Sequence, residues 1–175
     1  MEGIKLVRFL VLGAMIASWC YYALGVLRAW GSEVFGVPGS IHELFDFEAG
    51  PVPLPGLLIA FGLLVSLAML ASLALAYWSI WKILQAGPQQ AFNHLGRRLN
   101  HLGIGLVGFW LFWNVLTGVF QAVLAQYATA ATAAEYGWDP LDLDIVFPII
   151  GSSVFLIGRM MDRAWKAEEE NSQFL

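Results

Sequence analysis

An all-α, polytopic membrane fold, four transmembrane helices in a bundle with both termini cytoplasmic, is the class this sequence predicts. Three observations carry that expectation. Of 175 residues, 59% are hydrophobic and only 13% are charged, against about 25% charged in ordinary soluble domains. Four long stretches are nearly free of charge, and the basic residues gather in alternate connections between them, which places them on one side. A soluble protein this apolar could not cover its own surface with polar groups, whereas a lipid-facing one has no such need. The length leaves room for one domain, residues 1–175.

The first span is expected over residues 6–28. Phe9 to Leu27 carry no charge, with Lys5 and Arg8 before them and Arg28 after. A span needs about 20 mostly apolar residues. The run is long for a signal peptide and has no small-x-small cleavage site, so it reads as a retained helix. Cys20, the single cysteine, lies within it. No intrachain disulfide is possible, and a free cysteine there reads as a small buried hydrophobe. Trp19 stands where a lipoprotein cleavage site needs a small residue.

The second span is expected over residues 54–82, uncharged from Leu54 to Trp81. Pro53 and Pro55 suit its first turn, where a missing N–H costs nothing. Tyr77, Trp78 and Trp81 form an aromatic belt at its far end. Gly87-Pro88 then breaks the chain, and a short cytoplasmic segment, Gln89 to Asn100, leads into the third span over residues 99–128. An Ala/Thr-rich stretch, Ala128 to Ala134, carries that helix into the second outer loop.

The fourth span, residues 143–165, is the shortest. Only Ile145 to Gly158 are uncharged, so Arg159 must snorkel toward the interface. The helix is expected to continue into the cytoplasm through Trp165. The first outer loop, Gly31 to Pro53, is rich in Gly and Pro, and its segment Ile41 to Phe47 mixes apolar and acidic residues as an interfacial segment would.

Charge placement gives the orientation. Lys5, Arg8, Lys82, Arg97, Arg98, Arg159, Arg163 and Lys166 fall on one side, leaving only Arg28 of the nine basic residues on the other. The outer loops hold Glu33, Glu43, Asp46, Glu48, Glu135, Asp139, Asp142 and Asp144. By the positive-inside rule the termini and the middle connection are cytoplasmic, in a cell inner (plasma) membrane. The formal net charge of −4 and the lack of a basic face exclude nucleic acid as a partner.

The interiors of the four spans contain no acidic or basic side chain. That argues against proton-coupled transport and intramembrane aspartyl proteolysis, both of which need ionisable groups at membrane depth. Asn114, Thr117 and Gln121 form a polar stripe on the third helix, since spacings of three and four share a face. They line a polar path, or they are hydrogen-bonded glue between helices at about 0.6 kcal/mol each. Gly103, Gly105 and Gly108, with Gly62 and Ser66 four apart on the second helix, predict close helix approach.

His94 and His101 flank Arg97 and Arg98. Imidazoles can hold haem or a pigment, but seven residues on a helix means about 10 Å of rise, too far for both to reach one metal. His42 is expected on the opposite side. The expected role of this cluster is contact with lipid headgroups or a partner, with Arg97 and Arg98 as phosphate-binding groups. Ser152 and Ser153 lack the histidine and the turn of a nucleophile elbow and are expected to bond back to their helix. No phosphate-binding glycine loop or metal-ligand spacing occurs.

The tail joins Asp162 and Lys166 as an i,i+4 pair to an acidic run, Glu168 to Glu170. Three glutamates at a helix C-terminus oppose the macrodipole, so either the helix frays there, which is the expectation, or the acidic run meets a basic partner.

Three segments resemble a family of small bacterial four-span membrane proteins of unknown function. They are Trp81-Lys82-Ile83-Leu84-Gln85-Ala86-Gly87; Ala91 to Gly103, with Asn93, Arg97, Arg98, Leu99 and Gly103; and Ala164-Trp165-Lys166-Ala167-Glu168-Glu169-Glu170-Asn171. The resemblance covers nearly the whole chain and implies the same topology. It carries over no activity or catalytic residue. Some members are encoded beside small helix-turn-helix regulators, an association that points toward signalling.

The sequence therefore predicts a non-enzymatic integral membrane protein that acts through protein or lipid contacts, as a regulatory partner or accessory subunit of a membrane complex. Its expected partners are the lipid bilayer and either another membrane protein or further copies of itself, with no cofactor. The contact residues are His94, Arg97, Arg98, His101, Arg163, Lys166 and Glu169. Two rival readings are a small channel or transporter lined by Asn114, Thr117 and Gln121, and a haem- or pigment-binding subunit using His94 or His101.

Overall fold

A computed structural model describes residues 2–35, 54–85, 88–124, 126 and 145–172. The described residues form four α-helices: α1 Glu2–Val34, α2 Gly56–Gln85, α3 Pro88–Leu124 and α4 Val146–Ser172. The all-α expectation holds. Three of the helices are long and apolar enough to cross a membrane, over Leu6–Val34, Gly56–Gln85 and His94–Val123. The outer loops, with His42 and all their acids except Glu33, lie outside the described residues, as does the Ala/Thr-rich stretch.

Helix boundaries differ from the sequence expectation in three places. α1 does not end near Arg28 but runs to Val34, because Ala29 and Trp30 just beyond the arginine are buried and hold that turn in place. α3 starts at Pro88 rather than near Leu99. Proline is preorganised for a first helical turn, so the residue expected to break the chain instead opens the helix. α4 continues through Glu168–Glu170 to Ser172, where fraying was expected. Alanine, lysine and glutamate are strong helix formers, and their propensity offsets a macrodipole penalty of a few tenths of a kcal/mol. At the start of α2, the Leu58 and Ile59 amides both donate to the Pro55 carbonyl, at 2.9 and 3.2 Å.

The chain divides into two compact units. One comprises Met1–Ser18, Ala71–Trp110 and Ile145–Leu175, the other Trp19–Leu70 and Leu111–Asp144.

The second unit is built around Trp30. Its ring is 2% exposed and meets Phe120 edge-on, with centroids 5.2 Å apart and planes at 68°. Its Nε1–H donates to Ser66 Oγ at 2.8 Å, and its ring lies directly over Gly62. The pair Gly62 and Ser66, expected at a close approach of helices, instead receives the Trp30 side chain. The glycine leaves room for a ring and the serine satisfies its polar edge. Ala29, Val65 and Leu116 complete this core, and Trp19 Nε1–H donates to the Leu70 carbonyl at 3.3 Å.

The first unit is built on two glycine seams. Along the first, α2 and α3 run antiparallel. A methyl placed on Gly105 would lie 2.7 Å from both the Ala76 amide nitrogen and the Ser72 carbonyl oxygen. Gly108 packs against the Ser72 hydroxyl. Along the second seam, α3 and α4 run antiparallel. Gly103 faces Gly151, and Gly96 faces Gly158, each pair presenting carbonyls to the other's Cα. Such contacts permit Cα–H···O attraction, worth perhaps 0.5–1 kcal/mol each. Asn100, between the two pairs, donates to Asp162 Oδ2 at 3.0 Å while its own Oδ1 lies against Gly158. Asp162 therefore turns toward α3 rather than serving only Lys166. Tyr77 O–H donates to Ser18 Oγ at 2.9 Å, tying α1 to α2.

Burial runs opposite to that of a water-soluble protein. Phe9, Leu24 and Leu156 are 73%, 66% and 60% exposed, whereas Ser66 and Ser79 are 0% and 1% exposed. Large exposed apolar faces of this extent mark contact with lipid or protein. Cys20 belongs to that surface: it is exposed, not buried as expected.

Candidate functional site

On α3, residues 94, 97, 98 and 101 follow the spacing that keeps side chains on one face, within about 100° of arc. Gly96, Asn100 and Gly103 occupy the opposite face, and that face is pressed onto α4. Packing therefore turns His94, Arg97, Arg98 and His101 away from α4 and toward α2. One to two turns further along α3 the same face is closed by Gly105 and Gly108, which bring α2 into backbone contact. Where glycine gives way to arginine and histidine, the seam opens.

The opening is a recess of about 250 Å³ lined by Trp78, Ser79, Lys82, His94, Arg97, Arg98 and His101. It holds three basic side chains and two imidazoles, and among the described residues no acidic side chain lines it. The four α3 residues singled out from the sequence are thus brought together, and α2 adds three that the sequence reading left out of the site. Their signal was available: Lys82 ends the second apolar run, beside the aromatic belt. What could not be read was the antiparallel register that sets Lys82 beside Arg98.

Two of the cations are anchored. Arg98 Nη1–H donates to the Lys82 carbonyl, one of the last carbonyls of α2, which no helical amide is obliged to satisfy. The guanidinium so covers the negative end of the α2 dipole. Lys82 Nζ lies 4.7 Å from the centroid of the Trp78 ring, within cation–π range. Arg97, His94 and His101 are exposed, and Arg98 is half-buried. Ser79 Oγ–H donates to the Leu75 carbonyl at 2.8 Å. With the Ser79 hydroxyl engaged by its own helix, the other donor groups of the lining belong to the basic side chains, the imidazoles and the Trp78 indole.

The other expected contact residues stand apart from the recess. Arg163 and Lys166 are exposed on α4 and are not among its lining. Glu169 lies in the helical tail, with its side chain outside the described residues. The polar stripe is in the second unit, where Asn114, Thr117 and Gln121 are all half-buried. Thr117 Oγ1 bonds back to the carbonyls of Trp113 and Asn114, at 3.0 and 3.2 Å, so its hydroxyl serves its own helix. Among the described residues, no group of three His, Cys, Asp or Glu side chains could hold a metal ion.

The second unit also carries a groove of about 640 Å³, with Tyr21, Tyr22, Arg28, Trp30, Ser66 and Trp113 among its lining. Its aromatic wall joins Tyr21, Tyr22 and Trp30 of α1 to Trp113 of α3, a meeting that no local sequence pattern signals.

Comparison with protein-family models, curated proteins and solved structures finds no match to this chain.

Proposed function

We propose that this chain is a non-enzymatic four-span membrane protein, with its termini and the α2–α3 connection cytoplasmic. It acts through protein or lipid contacts as a regulatory partner or accessory subunit of a membrane complex. The three apolar helices support the membrane assignment, and the grouping of Lys and Arg supports the orientation. The topology is also the one implied by the resemblance to small bacterial four-span proteins.

A fourth span through α4 is supported by how its two sides differ. Gly151 and Gly158 face α3, while Val146, Ile149, Ile150, Leu156, Ile157 and Met160 are exposed. At about 100° per residue these six fall on the side opposite the glycines. A helix that packs its glycines and exposes its isoleucines suits lipid as its surroundings.

The single observation that carries the contact reading is the basic recess. Gly96, Gly103 and Gly105 on the same helix are pressed onto α4 or α2, whereas at the recess Arg97, His94 and His101 are left exposed. Mild-detergent purification, read by mass spectrometry and a visible absorption spectrum, tests the reading. A stoichiometric membrane protein or retained anionic lipid is expected, with Arg97→Glu plus Arg98→Glu losing it while insertion survives. Undiminished association of that double variant would remove the recess from the contact surface. A chromophore band lost on His94→Ala or His101→Ala would replace this reading with the cofactor one.

A further inference from the structure

We propose that the recess between α2 and α3 is a binding site for the phosphate group of an anionic phospholipid. This rests on the topology proposed above, which puts the recess at the cytoplasmic membrane surface.

Charge comes first. Lys82, Arg97 and Arg98 converge with His94 and His101 on one small space, with no carboxylate among the described residues that line it. Three like charges brought together without an acid among them repel one another, and a bound anion removes that cost. Asp162 of α4 lies across the helix from the recess, against Gly96 and bonded to Asn100. The α2 carbonyl end, which would repel an anion, is covered by Arg98. Arg97 remains exposed, with a guanidinium fork suited to two phosphate oxygens at once.

Size and surroundings then choose the ligand. At about 250 Å³ the recess is below the roughly 300–1,000 Å³ that encloses a drug-sized molecule. It suits a phosphate with a small headgroup. Apolar surface adjoins it: Trp78, in its lining, is 58% exposed, and Ile104, three residues beyond His101 on α3, is 50% exposed. Ala71 and Ala74 continue the exposed face down α2 from Trp78. A ligand with a phosphate end and acyl chains matches both parts, since the chains would lie along that face. Free phosphate matches only the first.

The test uses the purified full chain in a neutral detergent, with three probes: dioctanoyl phosphatidylglycerol, dioctanoyl phosphatidylcholine and inorganic phosphate. Binding is read by native mass spectrometry and phosphorus NMR. Phosphatidylglycerol is expected to be retained in preference to the other two. Each surface cation contributes about fivefold to anionic-lipid binding, so Lys82→Gln with Arg97→Gln is expected to weaken it about thirtyfold. The charge-preserving pair Lys82→Arg with Arg97→Lys should bind well above the neutral pair, because the charge is kept although the Arg97 fork is lost. If the double neutral variant does not fold, Arg97→Gln alone, at an exposed position, is expected to cost about fivefold. Equal binding of the two lipids, or neutral variants that fold and bind as the parent does, would overturn the proposal. Inorganic phosphate binding as tightly through the same residues would overturn the lipid as occupant. A protein that co-purifies with its partner yet shows no lipid preference would fail this proposal while leaving the accessory-subunit reading standing.

Discussion

Gly103→Ala is expected to destabilise the fold by about 2 kcal/mol, while Gly13→Ala stabilises it by up to about 1 kcal/mol. The substitutions are identical in chemistry and both lie in helices, so helix propensity favours alanine at each. Only the surroundings differ. A methyl on Gly13 meets nothing within 4 Å, whereas one on Gly103 would lie 2.5 Å from the Gly151 carbonyl oxygen and 2.8 Å from the Phe155 amide nitrogen. Those atoms are backbone, so no rotamer change relieves the overlap and α3 must move off α4. Asn100 and Asp162 would separate as it does. Reversible unfolding in detergent micelles, comparing the two variants with the parent, gives the answer. Equal stability of the two would mean that the α3–α4 seam is not closed at Gly103.

The second large effect is expected at Trp30. Trp30→Ala removes the central side chain of the second unit and should cost about 3–5 kcal/mol, the range for large aromatic truncations in packed interiors. It also removes the edge-on contact with Phe120, worth about 1 kcal/mol beyond burial, and leaves Ser66 Oγ facing a void. Trp78→Ala offers the comparison within the same chain, because that ring is 58% exposed and should cost well under half as much. Thermal unfolding followed by circular dichroism would reveal the difference. A Trp30 variant as stable as the Trp78 variant would show that Trp30 does not centre this core.

Much of this architecture is legible in the sequence because a membrane imposes simple rules. Uncharged runs gave the number and approximate place of the helices, and Gly103, Gly105 and Gly108 gave two close approaches. What approached them was not legible. Nothing local ties Trp30 to Gly62, or Gly151 and Gly158 to the α3 glycines, because antiparallel register is settled by packing between distant segments. The misplaced helix ends have a similar cause. Pro88 was read as a breaker, although the first turn tolerates proline, and the glutamate run was judged by its dipole rather than by its propensity.

The candidate site was half legible. The spacing of His94, Arg97, Arg98 and His101 already put them on one face. Lys82, Trp78 and Ser79 joined them only once α2 and α3 were set side by side. The tail residues Arg163 and Lys166 were grouped with the cluster by charge alone, and the structure does not bring them into the recess.

The central claim is the topology, and site-directed labelling tests it most directly. In a Cys20→Ser background, single cysteines would be placed at Phe35, Arg97 and Glu170, and right-side-out and inside-out vesicles treated with a membrane-impermeant maleimide. The topology predicts labelling of Arg97→Cys and Glu170→Cys only in inside-out vesicles, and of Phe35→Cys only in right-side-out ones. Arg97→Cys and Glu170→Cys reacting on opposite sides would contradict it, because α4 would then not cross the membrane.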